Sequence, residues 1–189
     1  MDTEIRAWAE CRVEASDNKR MIGYAIVFDS PSVDLGGFRE IIHPDAVDRT
    51  IRDGADVRAL VDHDTAKILG RTRSGTLQLR KEAKGLRAII EPDLGISYAA
   101  DVMRAVARGD VSGMSFGFRA LADDWNYDGD VPVRTVTDMR ISEVSVVTFP
   151  AYEATDVSAA LRSLSTFRET HGNKLAWLEK WHRTRMARG

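Results

Sequence analysis

Ser115, His63 and Glu143 are the residues of this chain from which acyl transfer could be built. That chemistry needs a hydroxyl to attack, a base to take its proton near neutral pH, and a group that fixes the base. Ser115 lies in Gly113-Met114-Ser115-Phe116-Gly117-Phe118. Read as a strand, the segment puts Met114, Phe116 and Phe118 on one apolar face, and Gly113, Ser115 and Gly117 on the other. Glycine inside a strand marks a bulge or the close approach of another chain segment or ligand. The plain alternative is packing, in which a small-residue lane admits a bulky neighbour such as Trp125. Taken alone, the lane reads better that way. Ser112 and Ser145 are competing hydroxyls, and Ser145 shares the strand face of Glu143. Gly-Met-Ser-Phe-Gly matches the spacing of a nucleophile elbow, but an elbow runs from strand into helix, and here more strand follows.

Histidine is the natural base, because its unperturbed pKa lies near neutrality. Of the four histidines, His43 precedes Pro44 at an expected helix start, where capping is the simpler role, and His171 and His182 sit in a separate C-terminal segment. His63 ends the apolar run Leu60-Val61-Asp62-His63-Asp64, where strands hand over to loops and sites tend to form. Asp62 and Asp64 point away from His63 if the strand persists. Glu143 stands in Ile141-Ser142-Glu143-Val144-Ser145-Val146-Val147, apolar on both faces and therefore expected to be central and buried. A carboxylate there is costly unless paired. Its partner is either an arginine such as Arg140 or Arg119, or the imidazole of His63; the spacing accommodates both.

These residues need a scaffold, and 189 residues suffice for one domain with a real core plus an appended segment. Hydrophobic content of 43% with 30% charged residues is that of an ordinary globular chain. A net charge of -2 makes no global case for nucleic acid. A single cysteine, Cys11, excludes an intrachain disulfide framework and a cysteine-rich zinc site, and nothing calls for a cofactor. No apolar run approaches the roughly 18 residues of a membrane span, and the polar N-terminus does not read as a signal peptide, so no membrane partner is expected.

The pattern is mostly short strands with interposed helices. Ile5, Ala7, Ala9 and Cys11 alternate as a first strand, followed by strands over Met21–Phe28, Phe38–Ile42 and Val57–His63. Thr76–Arg80 and Leu86–Glu91 form a hairpin around residues 81–85. Helices are expected over about residues 44–53, with Ala46, Val47 and Ile51 inward, and 96–108, with Ile96, Ala99, Val102, Met103 and Val106 inward and Gly109 as the stop. Residues 122–130 read as a loop or hairpin tip, with strands over Val131–Thr137 and Met139–Thr148 after it. The fold class is mainly β with flanking helices (α+β), a barrel-like or sandwich core. Residues 1–160 form this domain, and 161–189 an amphipathic, basic helical segment.

Four pieces in order resemble the prohead proteases of tailed phages (the HK97 type) and the related proteases of gene transfer agents. They are Gly23-Tyr24-Ala25-Ile26-Val27-Phe28, Val61-Asp62-His63-Asp64 with Leu69-Gly70-Arg71-Thr72, Gly109 to Phe118, and Glu143 to Tyr152. Ile42-His43-Pro44-Asp45-Ala46 departs from the Pro-Gly-Ala-Phe-like sequence frequent in the family. The resemblance implies a closed or nearly closed β-barrel of the herpesvirus-protease type, surrounded by helices. It implies a serine endopeptidase that cleaves capsid or scaffold protein within an immature procapsid in the bacterial cytoplasm, and that also cuts itself; the change of character after Leu161 makes that region the expected place for self-cleavage or for contact with the shell. By position it makes Ser115 the nucleophile, His63 the base and Glu143 the third member. Herpesvirus enzymes use a second histidine in that last role; none follows Ser115 here until His171, so an acid must substitute. The major capsid protein or scaffold segment is the implied partner, direct nucleic-acid contact is not implied, and a homodimer or higher oligomer fits the analogy. The alternative function is a non-catalytic capsid-assembly module that retains the fold.

Overall fold

The structure is a computed structural model, and it describes residues 3–8, 12–16, 19–128, 131–149, 160, 163 and 165–166. The chain divides into two compact units, Met1–Val157 and Ser158–Gly189. Of the second, only Ala160, Ser163, Ser165 and Thr166 are described, each with helical backbone. Apart from Ser163, Ser165 and Thr166, the expected basic segment 161–189 with its cleavage region lies outside the described residues, as does Cys11.

Ten strands of the first unit form two sheets. One is antiparallel: β2 (Val13–Ser16), β3 (Arg20–Val27), β8 (Gly85–Ile90) and β7 (Leu77–Lys81), in that spatial order. The other is mixed, in the order β1 (Glu4–Arg6), β9 (Gly113–Asn126), β10 (Val133–Val147), β5 (Arg58–Val61) and β6 (Asp64–Arg71). β10 is its spine. One edge pairs antiparallel with β9 along most of its length; the other pairs in parallel with β4 (Arg39–Ile42) and then with β5. Its β-branched residues suit a strand paired on both edges, and Val144, Val146 and Val147 are buried. A single bridge, Arg12 to Gly113, joins the sheets at one corner.

The mainly β architecture with flanking helices is as expected, and a closed barrel is not found among the described strands: the pairing ends at edge strands in both sheets. The core lies between Met21, Ile26, Leu86 and Ile90 of one sheet and Phe116, Phe118, Val144 and Val146 of the other. Helix α2 (Ser97–Arg108) contributes Ala99, Met103 and Val106 to it. Gly109 stops this helix at φ +82°, a conformation cheap for glycine alone, so β9 starts only a few residues later. Ile96 is the N-cap and largely exposed, not part of the apolar face.

Other elements differ from the sequence pattern for local reasons. Residues 44–53 form a 3-10 turn, Pro44–Val47, capped by His43 Nδ1, which accepts the Asp45 N–H at 3.2 Å. The short α1 (Asp48–Arg52) follows. This change of pitch buries Thr50 and leaves Ile51 exposed; the Thr50 hydroxyl accepts the Ile141 N–H at 3.1 Å. β9 continues through Asn126, so the expected 122–130 tip is mostly strand, and the two strands expected after it are the single β10. β1 inverts the expected alternation: Glu4 and Arg6 are buried and Ile5 is not. Their charges are paired inside. Arg6 Nε donates to Glu40 Oε1 at 2.8 Å, and the Arg134 guanidinium reaches Glu4 and Glu40, each at 2.7 Å, and Asp123 at 2.6 Å.

Candidate active site

The register of β9 against β10 sorts the side chains. Phe118 pairs with Ile141, Phe116 with Val144 and Met114 with Val146, all on the core face. Gly117 pairs with Glu143 and Ser115 with Ser145, on the opposite face. Ile141 and Val144 share a face although three positions apart, because Ser142 is the extra residue of a bulge between Ile141 and Glu143. Without that bulge, strict alternation from Ile141 would aim Glu143 into the apolar core. A one-residue slip flips every later side chain, and here it re-aims a carboxylate. The Ser142 hydroxyl ties the bulge by donating to the Gly117 carbonyl at 3.0 Å.

His63 arrives from the neighbouring hairpin. β5 stops at Val61, and Asp62 and His63 form the two-residue turn into β6, with φ +46° and +61°. Positive φ at both central residues is the type I′ hairpin pattern, which favours Asn-Gly or Gly. Holding a residue other than glycine there costs about 1–3 kcal/mol, and such positions concentrate at active sites. The turn is strapped to the end of β10. Asp62 N–H donates to the Val146 carbonyl at 3.0 Å, while the Asp62 carboxylate accepts the Thr148 N–H at 2.8 Å and the Thr148 hydroxyl at 3.1 Å. Among the described residues neither Asp62 nor Asp64 hydrogen-bonds the imidazole, and the reason is this turn, not strand alternation. Asp64 accepts the Ala66 N–H at 2.9 Å.

So placed, His63 Nδ1 lies 2.8 Å from Glu143 Oε1, with both side chains mostly buried. An ionised carboxylate only accepts, so in this bond Nδ1 is the donor. Nε2 is buried and has no hydrogen-bond partner among the described residues. The other carboxylate oxygen, Oε2, accepts the Ser145 hydroxyl at 2.6 Å. The ion pair with Arg140 or Arg119 that the sequence also allowed is not formed among the described residues; both of Glu143's oxygens are taken by His63 and Ser145.

Ser115 stands on the same face, buried beside Ser145, but its hydroxyl donates to the Arg6 carbonyl at 2.9 Å. The structure thus brings His63 and Glu143 into contact and sets Ser115 on their face with its hydroxyl turned to β1. A change of χ1 between staggered wells is what would re-aim it. Trp125 does not fill the small-residue lane; it packs on Phe38 at the far end of β9, ring centroids 5.3 Å apart. The sequence reading missed the I′ turn, the Ser142 bulge and the Thr148 strap. Asp62-His63 between apolar runs was a turn signal for the first; the other two left no local sign.

Among the described residues no group of three or more His, Cys, Asp or Glu could hold a metal ion, and no helix is long and apolar enough to cross a membrane.

A buried imidazole held by a carboxylate, beside hydroxyl-bearing strand positions, is an arrangement able to do general-base chemistry on a hydroxyl. The profile of the caudovirus prohead serine proteases matches residues 8–170, and the chain belongs to that family. It is 31% identical over 141 residues to the prohead protease of Enterobacteria phage HK97, an alignment covering 72% of this chain. The chain spans 58% of that relative's length. No solved structure matches it.

Proposed function

We propose that this chain is a serine endopeptidase that cleaves capsid or scaffold protein inside an immature phage-like procapsid. Ser115 Oγ attacks the scissile carbonyl carbon, and His63 Nε2 takes its proton. Glu143 accepts from Nδ1 and stabilises the imidazolium that forms. The imidazolium then protonates the leaving amine as the C–N bond breaks, and a water activated by the same nitrogen hydrolyses the acyl-enzyme. The observation that carries this reading is His63 itself, held in a left-handed turn with Nδ1 on Glu143 and Nε2 without a partner among the described residues. Co-expression with the cognate capsid precursor tests it: wild type cleaves, and Ser115→Ala and His63→Ala leave the precursor intact. A Ser115→Ala variant that still processes the precursor removes Ser115 from the role.

We also propose self-cleavage after Leu161. Intact masses of wild type and Ser115→Ala after storage then differ, and equal full-length masses remove the idea.

The bond from Ser115 to the Arg6 carbonyl favours a second reading, in which Ser115 is packing and the chain is a non-catalytic assembly module. Fluorophosphonate labelling separates the two, since a packing serine does not react.

A further inference from the structure

Ser145 touches both the acid and the backbone of the base. Its hydroxyl donates to Glu143 Oε2 at 2.6 Å and accepts the His63 backbone N–H at 3.3 Å, and the side chain is fully buried. We propose that Ser145 is a positioning residue of the hydrolytic site, fixing the Glu143 carboxylate and the His63 turn relative to one another. The proposal rests on the reading of Ser115, His63 and Glu143 given above.

The need for such a residue follows from the torsions involved. The terminal torsion of a glutamate is broad, so a single hydrogen bond to Nδ1 leaves the carboxylate free to swing. A second bond at Oε2 closes that freedom, and the main chain of Gly117 bounds the carboxylate from beneath. On the other side, the His63 N–H belongs to the left-handed turn and needs an acceptor, because a buried amide without one is costly. One oxygen therefore meets both demands: its proton goes to the acid and its lone pair to the base's own peptide. Ser145 is not placed as the nucleophile. Its hydroxyl is held by two bonds, donating to Glu143 Oε2 and accepting the His63 N–H, whereas Ser115 is held by one, to the Arg6 carbonyl.

The test compares Ser145→Thr with Ser145→Val in the full chain, two substitutions matched in shape that differ by the hydroxyl, with Ser145→Ala beside them. The first readout needs no activity: the low-field Nδ1–H proton resonance of His63 in protein labelled with 15N-histidine. The signal persists in wild type and in Thr, and broadens or vanishes in Val and Ala. The second is cleavage of the capsid precursor, where Val and Ala lower kcat by about 100-fold with KM little changed, the loss expected of a misplaced reacting group. Thr retains most of the activity. A Val variant with an unchanged His63 signal and kcat within about twofold of wild type overturns the proposal. Failure of Val and Ala to fold while Thr folds also overturns it, because the hydroxyl then serves stability. So does loss of fluorophosphonate labelling in Ala and Thr alike, which makes Ser145 the nucleophile. Should Ser115→Ala still cleave, the reading beneath fails, while the resonance still reports whether Ser145 holds the pair.

Discussion

Glu143 occupies the volume that Gly117 leaves empty. A Cβ added at 117 would lie 2.5 Å from Glu143 Oε1 and 3.1 Å from its Cγ. The small-residue lane of β9 is, at this position, a seat for the carboxylate that orients His63.

Gly117→Ala should therefore destabilise the protein and displace the acid. Overpacking of this kind costs about 1–3 kcal/mol. In a Glu143→Ala background the clash is gone, and the same substitution should cost much less. A double-mutant cycle in urea measures the coupling; effects that add to within about 0.5 kcal/mol would sink the relationship.

Glu143→Gln keeps the volume and removes the charge. An amide does not stabilise the imidazolium, and the expected loss in kcat is about 10⁴-fold, the scale known for the equivalent change in a serine-protease triad. Precursor cleavage and the rate of fluorophosphonate labelling should fall together. Unchanged labelling would show that Glu143 does not act on the serine through His63.

Arg134→Met should be among the most destabilising single changes. Arg134 is buried, and although burial opposes its charge, Glu40, Glu4 and Asp123 outweigh that effect and hold its pKa above the usual arginine value. Removing one partner from such a set costs about 3–5 kcal/mol. The network also anchors β1, whose Arg6 carbonyl receives the Ser115 hydroxyl. The measurement is the urea midpoint; a shift no larger than that of a surface substitution would count against the buried pairing.

Asp56 gives a pH-dependent prediction. Hydrogen bonds from Arg71, at 2.7 Å to each oxygen, lower its pKa to about 2. The folded value lies below the unfolded one, so the stabilisation is present in full above the unfolded value and fades as pH falls towards the folded one. Wild type should exceed Asp56→Asn in Tm by a constant margin at neutral pH. The margin should shrink between pH 3.8 and about 2 and be absent below. The pair is partly solvated, which keeps the margin small. A margin that grows on acidification would contradict the linkage.

Much of the scaffold was legible because its signals are local. The helical spacing of Ala99, Met103 and Val106 with Gly109 beyond, and the hairpin of Leu77–Lys81 with Gly85–Ile90, depend on neighbours a few residues away. The alternation of Met114, Phe116 and Phe118 against Ser115 and Gly117 was equally visible, as was the expense of a carboxylate in an apolar strand.

Where period two breaks, the sequence alone was silent. The arrangement of the described strands as two sheets had no local sign, because strand pairing between distant segments is decided by the whole chain. The burial of Glu4 and Arg6 depends on Glu40 and Arg134, which no local pattern can supply. By itself the sequence determined the residue types a serine hydrolase requires and the face of the Gly113–Phe118 strand that holds Ser115. Only the tertiary structure decided that a one-residue bulge aims Glu143 away from the core, that a left-handed turn delivers His63 to it, and that Ser145 joins the two. The bonds from His63 to Glu143 and to Ser145 join segments distant in sequence, and side-chain period carries no information about them.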